Sequence, residues 1–372
     1  MHRFFYAVKD TTINSGSNFN NGETLQDKNV GKDEVLEIKK VFHEKTFKHP
    51  TRALIQFNTD EIQTYLTKNN IASNEYSASL RMREVSGTSG LSETYDIAAF
   101  PISQEWDEGV GKELDEPKTV EGCSWLYRKN KPGAEEISWI TPGGAYITND
   151  IVSQSFSLQS PDIDMNVTTI VQQWLDGTND NYGFILMLSG STDEPGKTYE
   201  THSGSFEDLK FFSRQTNTIY SPKLEIKWND VVPATGDNTG SLIELDVSGN
   251  ADNYLYPMRL REAYKENEIV KFRIGARKRY IDKSFSTSIQ TVSGSYIPHG
   301  SASYSIIDMA TNEDVVPFSS YTTMSCDSVS NYFMQDLNTF EPNRAYKIMI
   351  KVNHDDNQTI IYDDDFEFIL RI

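Results

Sequence analysis

Cysteine is almost missing from this chain of 372 residues: only Cys123 and Cys326 occur. Two thiols so far apart build no disulfide framework, which fits assembly in a reducing compartment. Neither has a neighbouring histidine or basic cluster to activate it, so both read as small buried hydrophobes. Histidine is scarce too, and His2, His43, His49, His202, His299 and His354 nowhere show the short spacing of a metal motif. No apolar run approaches the about 18 residues of a membrane-spanning helix, so no membrane span is expected. The opening MHRFFYAV turns polar too early for a secretory leader, and none is expected. Basic residues are outnumbered, 35 Lys and Arg against 54 Asp and Glu, for a formal charge of −19. Nucleic acid requires a basic footprint, so DNA and RNA are excluded as the main ligand.

What is present points to a large folded protein. Hydrophobic residues make up 37% and aromatic residues 12%, enough for at least two cores of ordinary domain size. Most of the chain reads as strands, with one helical signal in NVTTIVQQWLDG at 166–177. Val167, Ile170, Val171 and Trp174 fall on one face of a helix about three turns long. Asn166 or Thr168 caps its start and Gly177 ends it. The run FILML at 184–188, between Gly183 and Gly190, reads as a strand buried on both faces, so the helix is expected to plug one end of a sandwich.

Further segments follow in order: DTTI at 10–13 with a turn over 14–22, EVLEIK at 34–39, TRALIQF at 51–57 and SASLRMR at 77–83. After them come the stretch 100–106 closing on Trp106, FFSRQ at 211–215 and SPKLEIKW at 221–228. Together these resemble the DNRLRE-type domain, a jelly-roll module similar to carbohydrate-binding modules, whose strands read "RALIRFDLS" and "FxSRE…PKLEV". The resemblance covers roughly residues 8–229 and implies a jelly-roll β-sandwich with one short helix. Gln56 and Asn58 stand where relatives often carry Arg or Asp, and Gln215 where they usually carry Glu. No ion site is therefore carried over.

The turn-rich NDVVPATGDNTG at 229–240 marks the end of that module. We expect a domain over 1–229, a linker over 230–241 and a second domain over 242–372. In the last, alternating runs at 268–274, 302–307, 331–337, 346–352, 359–362 and 365–371 suit an immunoglobulin-like β-sandwich of about seven strands. The fold class is thus all-β.

Candidate sites are few. Residues 109–142 form a long loop of little regular period, an arm for neighbouring subunits. Its aromatics and their neighbours, Trp125, Tyr127, Trp139 and Tyr146, either offer a sugar-stacking platform or pack onto their own sandwich or a second subunit. Arg273, Arg277, Lys278 and Arg279 form the one basic patch, a solvated face or a contact for an acidic copy of the chain. Glu105 and Asp107 flank Trp106 on one face, but no catalytic motif surrounds them and the chain reads as non-enzymatic. No cofactor is expected. Asp162 and Asp164 are candidate ligands for structural calcium, as are the runs at 355–356 and 363–365, although carboxylates just before a helix are favoured by its dipole alone.

A jelly roll without a leader, made in a cytosol and used outside it, suggests a virion. The expected function is a bacteriophage structural protein of the tail, baseplate, neck or fibre, partnered by other virion proteins and copies of itself. The alternative is a carbohydrate- or receptor-binding module for host-surface glycans.

Overall fold

Strands dominate both halves of the chain, as the alternating runs require. The computed structural model is all-β and describes residues 1–16, 23–43, 47–85, 95–156, 162–190, 197–248, 251–280, 285, 293–354, 358–364 and 366–372. The chain divides into two units, Phe5–Ile226 and the pair Met1–Phe4 with Lys227–Ile372. This departs from the expected 1–229, 230–241 and 242–372 at both ends. Arg3 pairs with Asp336 at 3.1 Å and the His2 carbonyl accepts from Gln335 Nε2 at 3.3 Å, which assigns the first residues to the later unit. The expected linker is also part of that unit. Val232 donates its N–H to Ser325 Oγ and accepts from the Cys326 N–H, both at 3.0 Å, so these turn residues satisfy their backbone groups in place.

The N-terminal unit uses β1 (His2–Asn14), β2 (Val35–His43), β3 (Phe47–Phe57), α1 (Thr59–Lys68), β4 (Tyr76–Met82), β5 (Tyr95–Pro101), β6 (Tyr127–Lys131), β7 (Glu135–Ser138), β8 (Val152–Phe156), β9 (Ile163–Asn166), α2 (Thr168–Leu175), β10 (Phe184–Ser189), β11 (Phe206–Phe212) and β12 (Lys223–Trp228). Ten of its strands share one ladder, ordered β8-β5-β10-β3-β1-β12-β4-β9, with β2 on β3 and β11 on β2. A bridge between Glu84 and Phe211 brings the end of β4 beside β11, so the sheet curls toward closure in a jelly-roll-like way. Phe184 to Leu188 are all buried, as expected of a strand covered on both faces.

The helix at 166–177 forms with Ile170, Val171 and Trp174 buried, and Gly177 ends it at φ +77°. It runs eight residues, about two turns rather than three. Its N-cap is Val167, without a side-chain bond; Asn166 Oδ1 instead accepts the Thr168 N–H at 3.1 Å, and the Thr168 hydroxyl serves Ala78 of β4. It is not the only helix. In α1, Asn58 Oδ1 accepts from the amides of Asp60 and Glu61 while Ile62 and Leu66, four residues apart, are buried. Two apolar positions among polar neighbours leave little periodic signal, and Asn58 proves to be a cap.

The C-terminal unit contains β13 (Ile243–Glu244), β14 (Asn253–Met258), β15 (Ala263–Lys265), β16 (Ile269–Lys278), β17 (Ser295–Tyr296), β18 (Ala302–Asp308), β19 (Glu313–Val316), β20 (Ser325–Cys326), β21 (Asn331–Asp336), β22 (Ala345–Asn353), β23 (Thr359–Tyr362) and β24 (Glu367–Arg371). They form two six-stranded sheets, β13-β17-β16-β21-β20 with β14 on β16, and β15-β24-β22-β18-β19 with β23 on β22. Twelve strands among the described residues exceed the expected seven because several span only two or three residues, too short to show a period. Inward residues of both sheets, among them Leu255, Phe272, Phe333, Tyr304, Ile348 and Phe368, make one core, with Tyr304 stacked on Phe333 at 3.8 Å.

Candidate functional site

The long loop of the N-terminal unit packs onto its own sandwich as a third layer. Leu54 of β3, Ile185 of β10 and Phe100 of β5 point away from the sandwich interior, and burying them requires a cover. Trp106, Cys123, Trp139 and Ala145 supply it. Trp106 Nε1 donates to the Tyr182 carbonyl and Trp139 Nε1 to that of Ser124, each at 2.8 Å. A hairpin of β6 and β7 gives the loop regular structure, and Asn29, fully buried, ties it down. Its Nδ2 donates to the Glu108 and Cys123 carbonyls at 2.8 Å, and its Oδ1 accepts from the Gly31 and Gly111 amides. Residues 17–22 of the other expected arm lie outside the described residues.

This layer consumes the aromatics singled out above. Trp139 is only 4% exposed. Trp125 and Tyr146 are half-buried against Arg52, whose guanidinium lies 4.9 Å and 5.8 Å from their ring centres. Arg52 is held by both Glu200 oxygens at 2.9 and 2.7 Å and by the Gly143 carbonyl at 2.6 Å. Tyr127, half-buried, starts β6. Trp125, Trp139 and Tyr146 pack onto their own sandwich. Cys123 is fully buried, and that burial pushes its thiol up; the same effect raises Cys326 to about 11.

Beside the loop lies a charged cluster that sequence motifs touched only at Asp10, Arg214 and Gln215. Glu108 is bound by Lys32 at 2.6 Å and Arg214 at 2.9 Å. Asp10, 1% exposed, accepts the Arg214 amide at 2.6 Å. Burial outweighs that bond and raises its carboxyl from 3.8 to about 7, with Glu108 adding to the rise and Arg214 and Lys32 opposing it. A cavity of about 390 Å³ opens nearby, lined by Thr12, Asn14, Lys28, Asp33, Glu37 and Glu113 among others. Burial likewise holds Asp33 above the usual carboxylate range. On its rim stands Leu114, 92% exposed.

In the C-terminal unit the basic patch lies along β16 and its end. Arg273 and Arg277 share the outer face with Lys271 and Gly275, since Val270, Phe272, Ile274 and Ala276 take the core. Arg273 is held bidentately by Asp327 at 2.9 and 2.8 Å, which keeps the Asp327 carboxyl well below the usual range. Arg279 pairs with Asp252 at 3.2 Å, and Lys278 is exposed. Sequence reasoning missed what surrounds these cations. Tyr254 pairs with Arg277 across the ladder, Tyr256 with Gly275, and Tyr332 with Arg273. Arg277 sits 4.8 Å over the Tyr254 ring and Lys271 3.9 Å over that of Tyr332. The available signal was the pair of tyrosines two apart in NYLYPM and a glycine inside a strand.

The remaining carboxylates are spread out. Asp162 pairs with Arg83 at 2.5 Å and accepts the Glu84 amide at 2.9 Å, and exposed Asp164 sits on β9 rather than at the helix start. Asp363 pairs with Lys347 at 3.5 Å, while 355–356 and 365 lie outside the described residues. Glu105 and Asp107 both face Lys129, at 2.8 and 3.7 Å, and that bond lowers the Glu105 carboxyl. Among the described residues no three His, Cys, Asp or Glu side chains cluster to hold a metal ion, and no described helix is long and apolar enough to cross a membrane. No family model matches the chain, and no curated protein matches it.

Proposed function

We propose that this chain is a non-enzymatic structural protein of a bacteriophage virion, a tail, baseplate, neck or fibre-associated component that docks onto neighbouring virion subunits. The observation that carries the reading is Leu114. It is 92% exposed, yet its loop is fixed: the Glu113 amide donates to Asp33 at 3.0 Å, the Lys112 amide to Asp115 at 2.8 Å, and the Lys32 amide to the Gly111 carbonyl at 2.8 Å. A leucine kept in water forgoes roughly 2 kcal/mol that a partner's pocket returns, and a fixed loop loses little entropy on binding. Glu113, Asp115 and Glu116 flank it together with Lys112, and Glu113 pairs with Lys28 at 3.6 Å, so Asp115 and Glu116 are the carboxylates that favour a partner with cations beside an apolar pocket. The resemblance of residues 8–229 to a jelly-roll module supports the same reading.

Mass spectrometry of intact particles from a phage encoding this chain tests it. The chain is expected at stoichiometric copy number, and Leu114→Asp is expected to lower incorporation about tenfold without changing the melting temperature. Absence of the wild-type chain from particles overturns the proposal.

A further inference from the structure

We propose that the outer face of β14 and β16 binds an anionic polysaccharide. Gly275 prepares the surface: a Cβ there would lie 2.4 Å from Cζ of Tyr256, so the Tyr256 ring reclines on the sheet where a side chain would stand. Tyr254 lies beside it, ring centres 5.9 Å apart and planes within 20°, and is 36% exposed. Arg277 Nη1 is fixed by the Lys278 and Arg279 carbonyls at 3.1 and 3.3 Å, with its guanidinium 4.8 Å over the Tyr254 ring. The result is a pair of nearly parallel, stacked aromatic rings on the outer face, bordered by cations. The C–H faces of successive pyranose rings stack on such a surface.

Charge selects the class of sugar. Among the described residues Lys271, Arg273, Arg277, Lys278 and Arg279 are five cations, of which Lys271 and Arg273 share Asp327, Arg279 pairs with Asp252 and Lys278 lies near Asp246, so these cations outnumber those partner carboxylates by two. That excess sits in a chain of charge −19, so it is a local attraction for sparsely charged polymers. Uronate or sulfate groups between stacked rings meet it. A nucleic-acid strand carries a charge at every unit and needs many more cations, and a protein hot spot sits in a desolvated pocket rather than on an open face. This inference goes beyond the virion role and holds or fails without it, because it is read in solution on the isolated protein.

Affinity electrophoresis of the full chain through gels containing alginate, chondroitin sulfate, dextran, poly-L-glutamate or oligo-dT tests it. Retardation by alginate or chondroitin sulfate is expected, with Tyr254→Ala and Gly275→Ala each weakening it about fivefold, the loss of one stacking contact. Gly275→Ala keeps every tyrosine and charge and only lifts the Tyr256 ring. If its melting temperature falls, exposed Lys278→Glu replaces it and is expected to weaken binding by a similar factor. Retardation by neither acidic polysaccharide, or retardation that every folded variant keeps, overturns the proposal. So does tighter binding of poly-L-glutamate or oligo-dT, which makes the face a docking site for acidic protein or nucleic acid.

Discussion

Among the described aromatic rings that lie against glycines, Trp125 and Tyr256 make an instructive pair. In the N-terminal unit a Cβ on Gly143 would stand 2.5 Å from the Trp125 ring, and in the C-terminal unit a Cβ on Gly275 would stand 2.4 Å from the Tyr256 ring. Trp125 is half-buried, packed against the Trp139 layer with Arg52 over its ring. Tyr256 reclines on the outer face of a sheet whose core side is already filled by Ile274, Ala276 and Leu255. An aromatic side chain is therefore available to a ligand according to what the other side of its sheet still has to bury. The sheet of β3, β5 and β10 is apolar on both faces and draws a loop over itself; β16 alternates and leaves its outer face open.

The largest test of this contrast compares Trp139→Ala with Tyr254→Ala. Removing the buried indole is expected to destabilise the chain by about 3–5 kcal/mol in urea denaturation, whereas the outward tyrosine costs below about 1 kcal/mol. Equal costs would remove the distinction between a consumed and a displayed ring.

Asn29→Ala comes next. It strips partners from two buried amides and two buried carbonyls, an expected loss of about 3 kcal/mol. Limited proteolysis should then cut between residues 109 and 122 well below the melting temperature. Resistance equal to wild type would mean that Trp106 and Trp139 alone hold the layer.

Asp10 offers a pH-dependent effect. Its carboxyl stands near 7 in the native state against an ordinary 3.8, so the native state binds the proton more tightly than the unfolded chain. The cost of burying it is absent below about pH 4, grows as pH rises to 7 and stays constant above, with a ceiling of about 4 kcal/mol. Asp10→Asn keeps an acceptor for the Arg214 amide and removes the charge. It is expected to gain about 2 kcal/mol at pH 8 and nothing at pH 4, measured by thermal melting; a gain at both pH values would contradict the assignment.

Much of this was legible in the sequence. Val167, Ile170, Val171 and Trp174 marked α2 because four apolar residues repeat at helical spacing, and FILML marked β10 because both its faces are covered. Helix α1 was hidden because Ile62 and Leu66 alone bury. The boundary at 226 and 227 was hidden because Arg3 finds Asp336, a pairing 333 residues distant that no local pattern announces. The same holds for the sites. Trp125 and Trp139 drew notice as tryptophans in an aperiodic loop, yet Trp139 is in the core and Trp125 is half-buried against it. Tyr254, Tyr256 and Gly275 meet only through the ladder between β14 and β16. Residue type indicates that a ring can bind; register and burial decide whether it does.

The smallest effect sharpens the comparison most. Gly143 has φ +90°, so an alanine there meets both a left-handed backbone and an indole packed between Arg52 and the Trp139 layer, and about 2 kcal/mol of destabilisation is expected. Gly275 has ordinary strand geometry, and the nearest atoms to its missing Cβ belong to the far end of a tyrosine that can swing toward water. Gly275→Ala should therefore cost below about 1 kcal/mol. A Gly275→Ala cost as large as that of Gly143→Ala would mean that Tyr256 is packed rather than displayed, and the outer face of β14 and β16 would then be structure and not a surface for a ligand.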